Sequence, residues 1–102
     1  MSNLNPQKPY NPSLCNVEEF YTPHADANYL NAQDVIHSLV TQAKTLATIG
    51  VCQYEQEDKQ TVCNMNNEHM QNLLWDIQTK LDMINKILPT AFDYKGPVHE
   101  QA

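Results

Sequence analysis

Three observations predict an all-α fold for this chain: an antiparallel two-helix hairpin, about residues 28–57 and 66–88, with poorly structured ends. Two segments repeat apolar residues at intervals of three and four, the period of a helix face. Prolines are absent between Asp26 and Ile87 and cluster toward the termini. The polar link between the two periodic segments is short, which forces neighbouring helices antiparallel.

The first periodic segment places Ala32, Val35, Ile36, Leu39, Val40, Ala43, Leu46, Ala47 and Val51 on one stripe. Asn31 is the expected N-cap, and Asp34 follows where its charge suits the positive end of the helix. Val51 and Tyr54 extend the stripe, so the helix is expected to run one or two turns past Gly50. A structureless loop from Val51 to Met65 would be unusual in so small a domain. The reversal is therefore expected near Asp58 to Asn66.

The second segment carries Met70, Leu73, Leu74, Ile77, Leu81, Ile84 and Leu88, close to a heptad seam. Asn66 or Asn67 can cap it, Glu68 sits in its first turn, and Pro89 is expected to stop it. Asp76 precedes Lys80 and Asp82 precedes Lys86 in the favourable i,i+4 orientation. The domain organisation expected is an extended or disordered arm over 1–25, a helical hairpin over 26–89 and a flexible tail over 90–102.

Composition narrows the function. Twelve acids stand against six basic residues, all of them lysines, for a net charge of −6. Nucleic-acid surfaces need clustered positive charge and use arginine for guanine edges and phosphate forks. Direct nucleic-acid binding is not expected. No apolar run approaches the ~18 residues of a membrane span, so no membrane association is expected. Residues Met1–Pro6 lack a basic and then apolar leader. A cytoplasmic location with reduced Cys15, Cys52 and Cys63 is the corresponding expectation. A Cys52–Cys63 bridge across the turn is the one disulfide conceivable.

Chemistry is sparse. His24, His37, His69 and His99 have no paired metal-ligand spacing, and Cys63 and His69 are six residues apart. Two glycines cannot build a phosphate-cradling loop. No catalytic residue, cofactor or metal is expected, and the chain is not read as an enzyme. Trp75 and the tyrosines are candidate interface anchors. Pro6–Pro12 has the form of a P-x-x-P ligand, with a plain tail as the simpler account. Glu55, Glu57 and Asp58 form an acidic cluster at the turn, of a kind that is usually just solvated.

The stripes are wider than one neighbouring helix can cover, because Trp75, Met83 and Ile87 extend the second beyond its seam. Leaving several Leu-sized side chains wet forfeits several kcal/mol at about 25 cal/mol per Å². A homodimer completing a four-helix bundle is the expected remedy, with Ile36, Leu39, Ala43, Leu46, Met70, Leu74, Trp75, Ile77, Leu81, Ile84 and Leu88 at the interface. The function expected is that of a small protein-interaction or regulatory module, acting on its own copy or on another protein. The alternative is an acidic inhibitor of a nucleic-acid enzyme, of the type carried by phages and mobile elements.

Phe20 before the first helix, Ala43-Lys44-Thr45-Leu46-Ala47 within it and Leu73-Leu74-Trp75-Asp76-Ile77 opening the last stripe resemble a pattern in small proteobacterial proteins of uncharacterised function. Over Phe20 to Leu88, that resemblance implies a loose N-terminal arm and a C-terminal helical hairpin. It implies no catalytic residues.

Overall fold

The computed structural model describes residues 7–95. Two short 3-10 turns, Pro12–Cys15 and Val17–Glu19, lead into helix α1 (Tyr29–Val51). Strands β1 (Tyr54–Glu57) and β2 (Gln60–Cys63) follow, and helix α2 (Asn67–Ala91) closes the fold. The fold is therefore α+β, not the all-α bundle the sequence predicts, because the link between the helices is a two-stranded antiparallel sheet.

The local chemistry explains that difference. Asp58 and Lys59 both adopt positive φ, 51° and 67°, the backbone that a two-residue hairpin turn demands at both central positions. Around it the register runs Tyr54↔Cys63, Glu55↔Val62, Gln56↔Thr61 and Glu57↔Gln60. The Gln56 amide donates to Thr61 Oγ1 at 2.8 Å, and the Asn64 N–H extends the ladder to the Gln53 carbonyl at 2.7 Å. Helix α1 thus ends at Val51 instead of running to about residue 57. Cys63 stands opposite Tyr54, and Cys15, Cys52 and Cys63 are free thiols.

The helix ends also differ from expectation. Asn28, not Asn31, caps α1: its side chain accepts from the N–H groups of Leu30 and Asn31 at 2.9 and 3.2 Å. Asn31 answers by accepting from the Asn28 N–H at 3.0 Å, a reciprocal capping box that satisfies three donors. Asn66 caps α2 through the His69 N–H at 2.7 Å. Pro89 lies inside α2, which continues to Ala91 instead of stopping at 88. Its missing N–H removes one bond near the end of the helix, where little remains to be broken.

The two helices meet along matched heptad seams. In α1 the inward positions are Ala32, Ile36, Leu39, Ala43, Leu46 and Gly50; in α2 they are Met70, Leu73, Ile77, Lys80, Ile84, Ile87 and Ala91. Spacings alternate between three and four in both. Gly50 lets the helices close at the hairpin end, where a Cβ would stand 3.3 Å from Leu73 Cδ2. At the far end the Gln33 side chain donates to the Ala91 carbonyl at 3.0 Å, and Tyr29 meets Tyr94 edge-on with ring centroids 4.7 Å apart. The buried core is thin: Ala32, Leu39, Ile87 and Ala91, with Tyr21, Ile36, Met83 and Ile84 packed against it.

Candidate interaction surface

The seam just described leaves a second apolar repeat facing away from it. Leu74, Leu81 and Leu88 follow one another at seven-residue steps along α2 and are 56, 53 and 37% exposed. On α1, Val40 and Ala47 hold the matching seven-residue step, and Val51 ends the row; all three are exposed. A shallow groove joins the two rows at the hairpin end, lined by Ala47, Gly50, Val51, Tyr54, Met70, Leu73, Leu74 and Ile77. Residues seven apart on a helix share a face, so the groove's apolar character carries on through Val40, Leu81 and Leu88. The result is one flank of the hairpin with a continuous apolar strip.

The opposite flank is dressed differently. Near the open end of the hairpin, Tyr21 of the arm packs against the core, and Tyr21, Pro23 and Ala27 line a pocket with Ala32, Ile87 and the exposed Val35. Toward the middle the flank is polar: Thr41, Gln42 and Thr45 of α1 face Asp76 and Lys80. Lys80 occupies a seam position with its stem largely covered, and its ammonium reaches Asp76 at 3.2 Å. The outer side of α2 carries the arm, where Asn85 donates to Glu18 at 2.7 Å. Pro12, Cys15, Asn16 and Val17 border a cleft with Trp75, Gln78, Thr79 and Asp82.

The eleven residues expected at an interface therefore fall into three groups. Leu39 is buried in the chain's own core, and Ile36, Ala43, Leu46, Met70, Ile77 and Ile84 are half-buried in the seam. Leu74, Leu81 and Leu88 line the open strip. Trp75, 56% exposed, belongs to the arm side. The structure adds Val40, Ala47, Val51 and Tyr54 to the open flank. All four were visible as part of the α1 stripe or its extension, though Tyr54 reaches the flank from a strand instead of a helix.

Electrostatics separate the strip from the acids. By helical phase, Asp34, Glu68 and Asp82 project to the backs of their helices, and Asp76 lies on the polar flank. Glu55, Glu57 and Asp58 crowd the hairpin tip. Lys44 and the amides of Gln33, Gln78 and Asn85 border the strip. Two tyrosines have raised phenol pKa values: Tyr54, through hydrogen bonding to Cys63 and then the charge of that thiol, and Tyr10, through its contact with Cys15 at 3.1 Å.

Among the described residues, no group of three or more His, Cys, Asp or Glu side chains could hold a metal ion. No helix among them is long and apolar enough to cross a membrane. His99, Pro6 and the residues beyond Lys95 lie outside the described residues, so the tail and the first proline of the P-x-x-P segment have no structural account. Comparison with family models, curated proteins and solved structures finds no match.

Proposed function

We propose that this protein is an interaction module that docks its open flank against another polypeptide. The observation that supports this most is the row Leu74, Leu81 and Leu88, repeated in register and left half-exposed beside a core of four buried apolar residues among the described residues. Scattered exposed leucines are ordinary on a surface, but a contiguous apolar strip with a polar border is the usual mark of a contact site. The strip also offers no convergent acid, base or nucleophile, which favours binding over catalysis.

The acidic-inhibitor alternative draws on the net charge of −6. It takes second place because the carboxylates are dispersed over the helix backs and the hairpin tip, not ranked along one face. The test is migration in a native extract of the source cells. The wild-type chain is expected in an assembly heavier than its own 11.7 kDa, and Leu81→Asp is expected to release it. Equal migration of both chains as monomers would refute the proposal.

A further inference from the structure

We infer that the occupant of the open flank is a second copy of this chain, packed face to face with the two β-hairpins at opposite ends. This rests on the docking role proposed above and names its partner. Three features of the chain carry it.

The first is area. Val40, Val51, Tyr54, Leu74, Leu81 and Leu88 are all substantially exposed. At about half of the roughly 120 Å² that such a side chain exposes when bare, the strip offers of order 350 Å² per copy before its half-buried borders are counted. A standard stable interface takes about 800 Å² from each partner. The strip thus supplies a little under half of that area, and the groove residues and polar border beside it must supply the rest.

The second is charge. A chain of net charge −6 repels its own copy unless the contact excludes acids. No Asp or Glu of either helix projects from this flank; its border is Lys44 with Gln33, Gln78 and Asn85, and the one carboxylate that reaches it, Glu18 of the arm, is held by the Asn85 amide. Gln33 and Asn85 already donate to Ala91 and Glu18. An amide has two N–H groups and an accepting oxygen, however, so Gln78 and the remaining capacity of the other two can pair with an identical border. An interface related by a two-fold axis needs that self-complementarity.

The third is the tip. Glu55, Glu57 and Asp58 form the acidic end of each hairpin, offset only by Lys59. With the two-fold axis along the helices, both tips would share one end. With the axis across them, near Val40 and Leu81 at mid-hairpin, the tips are separated by the helix length plus both strands. That is about 60 Å, from 1.5 Å per helical and 3.3 Å per strand residue, against a screening length of about 8 Å. The crossed arrangement keeps the strips in contact and the acids apart.

Two measurements on the purified full chain test this. Light scattering at micromolar concentration is expected to give twice 11.7 kDa for the wild type and the single-chain mass for Leu81→Asp, with Leu81→Gln weakened but folded. Spin labels at Glu57→Cys, in a background with Cys15, Cys52 and Cys63 changed to Ser, are expected to lie about 60 Å apart in the dimer. Labels at Lys44→Cys are expected to be close. A purified chain that stays monomeric, while the extract holds it in a heavier assembly, overturns the second-copy inference and leaves the docking role standing. A dimer with tip labels within ~25 Å overturns the crossed arrangement.

Discussion

Ile87 and Leu88 are neighbours in sequence, of the same size and hydropathy, yet one is 3% exposed and the other 37%. The same contrast runs the length of α2: Leu73, Ile77, Ile84 and Ile87 face α1, while Leu74, Leu81 and Leu88 face outward. On the polar flank the arm and the Asp76–Lys80 pair cover part of the surface, with Val35 and Ile49 left exposed. On the open flank the chain holds only the border, through Gln33 to the Ala91 carbonyl and Asn85 to Glu18, and among the described residues no arm residue lines the groove. An apolar repeat on its own therefore does not separate core from contact surface; what separates them is which side the rest of the chain covers.

The largest effect that can break this comparison is a charge placed on each side of it. Ile87→Asp puts a carboxylate in the core with no partner and is expected to abolish the cooperative helical transition, a loss above about 3 kcal/mol. Circular dichroism checks it; a melting point unchanged from wild type would show that the seam lies elsewhere. Leu81→Asp, by contrast, is expected to remain helical as a monomer.

Smaller changes sharpen the account of what holds the hairpin itself. Asn28→Ala removes an acceptor from two N–H groups and is expected to cost about 1 kcal/mol in thermal or denaturant unfolding. Lys59→Gly relieves a positive-φ lysine at 67° and is expected to stabilise by up to about 1 kcal/mol. A destabilised Lys59→Gly variant would contradict the two-residue turn. Gly50→Ala sets a helix-propensity gain of about 1 kcal/mol against the 3.3 Å approach to Leu73 Cδ2. Leu73 borders an open groove and its side chain can yield, so the net expectation is a gain of about 0.5 kcal/mol, a rise of a few degrees in Tm.

The smallest effect is a titration. Hydrogen bonding to Cys63, and then its thiolate charge, hold the Tyr54 phenol above its usual value of 10. Because the folded pKa is the raised one, the contribution to stability is present below the ordinary tyrosine pKa and lost as pH rises through the raised value. Cys63→Ala is expected to return Tyr54 to the ordinary range in an absorbance titration.

Much of the helical frame was legible in the residues. Periodicity located both helices and Asn66 was among the expected caps, whereas the short link expected between the helices is a β-hairpin between Val51 and Asn67. Three things were not legible, for physical reasons. The hairpin's strands are mostly polar, and its turn is Asp58-Lys59 with no glycine, so neither β pattern nor turn chemistry stood out. Lys80 hides the α2 seam: a charged residue at an inward position left Leu74, Leu81 and Leu88 on one stripe with the residues that face α1. Asn31 looked like a cap because it does take part in one, as the third helical residue answering Asn28. The open flank was foreseeable as an excess of apolar surface, and Leu74, Leu81 and Leu88 were among the residues expected at an interface, though not separated there from the seam residues.

The central claim is that the Leu74, Leu81 and Leu88 strip is outside the fold of one chain and inside an assembly of two. Melting temperature measured across a hundredfold range of protein concentration tests it most directly, since association stabilises by mass action. The wild-type Tm is expected to climb with concentration, while that of Leu81→Asp stays flat at the wild-type value of the most dilute sample. A wild-type Tm that does not move with concentration would contradict the claim.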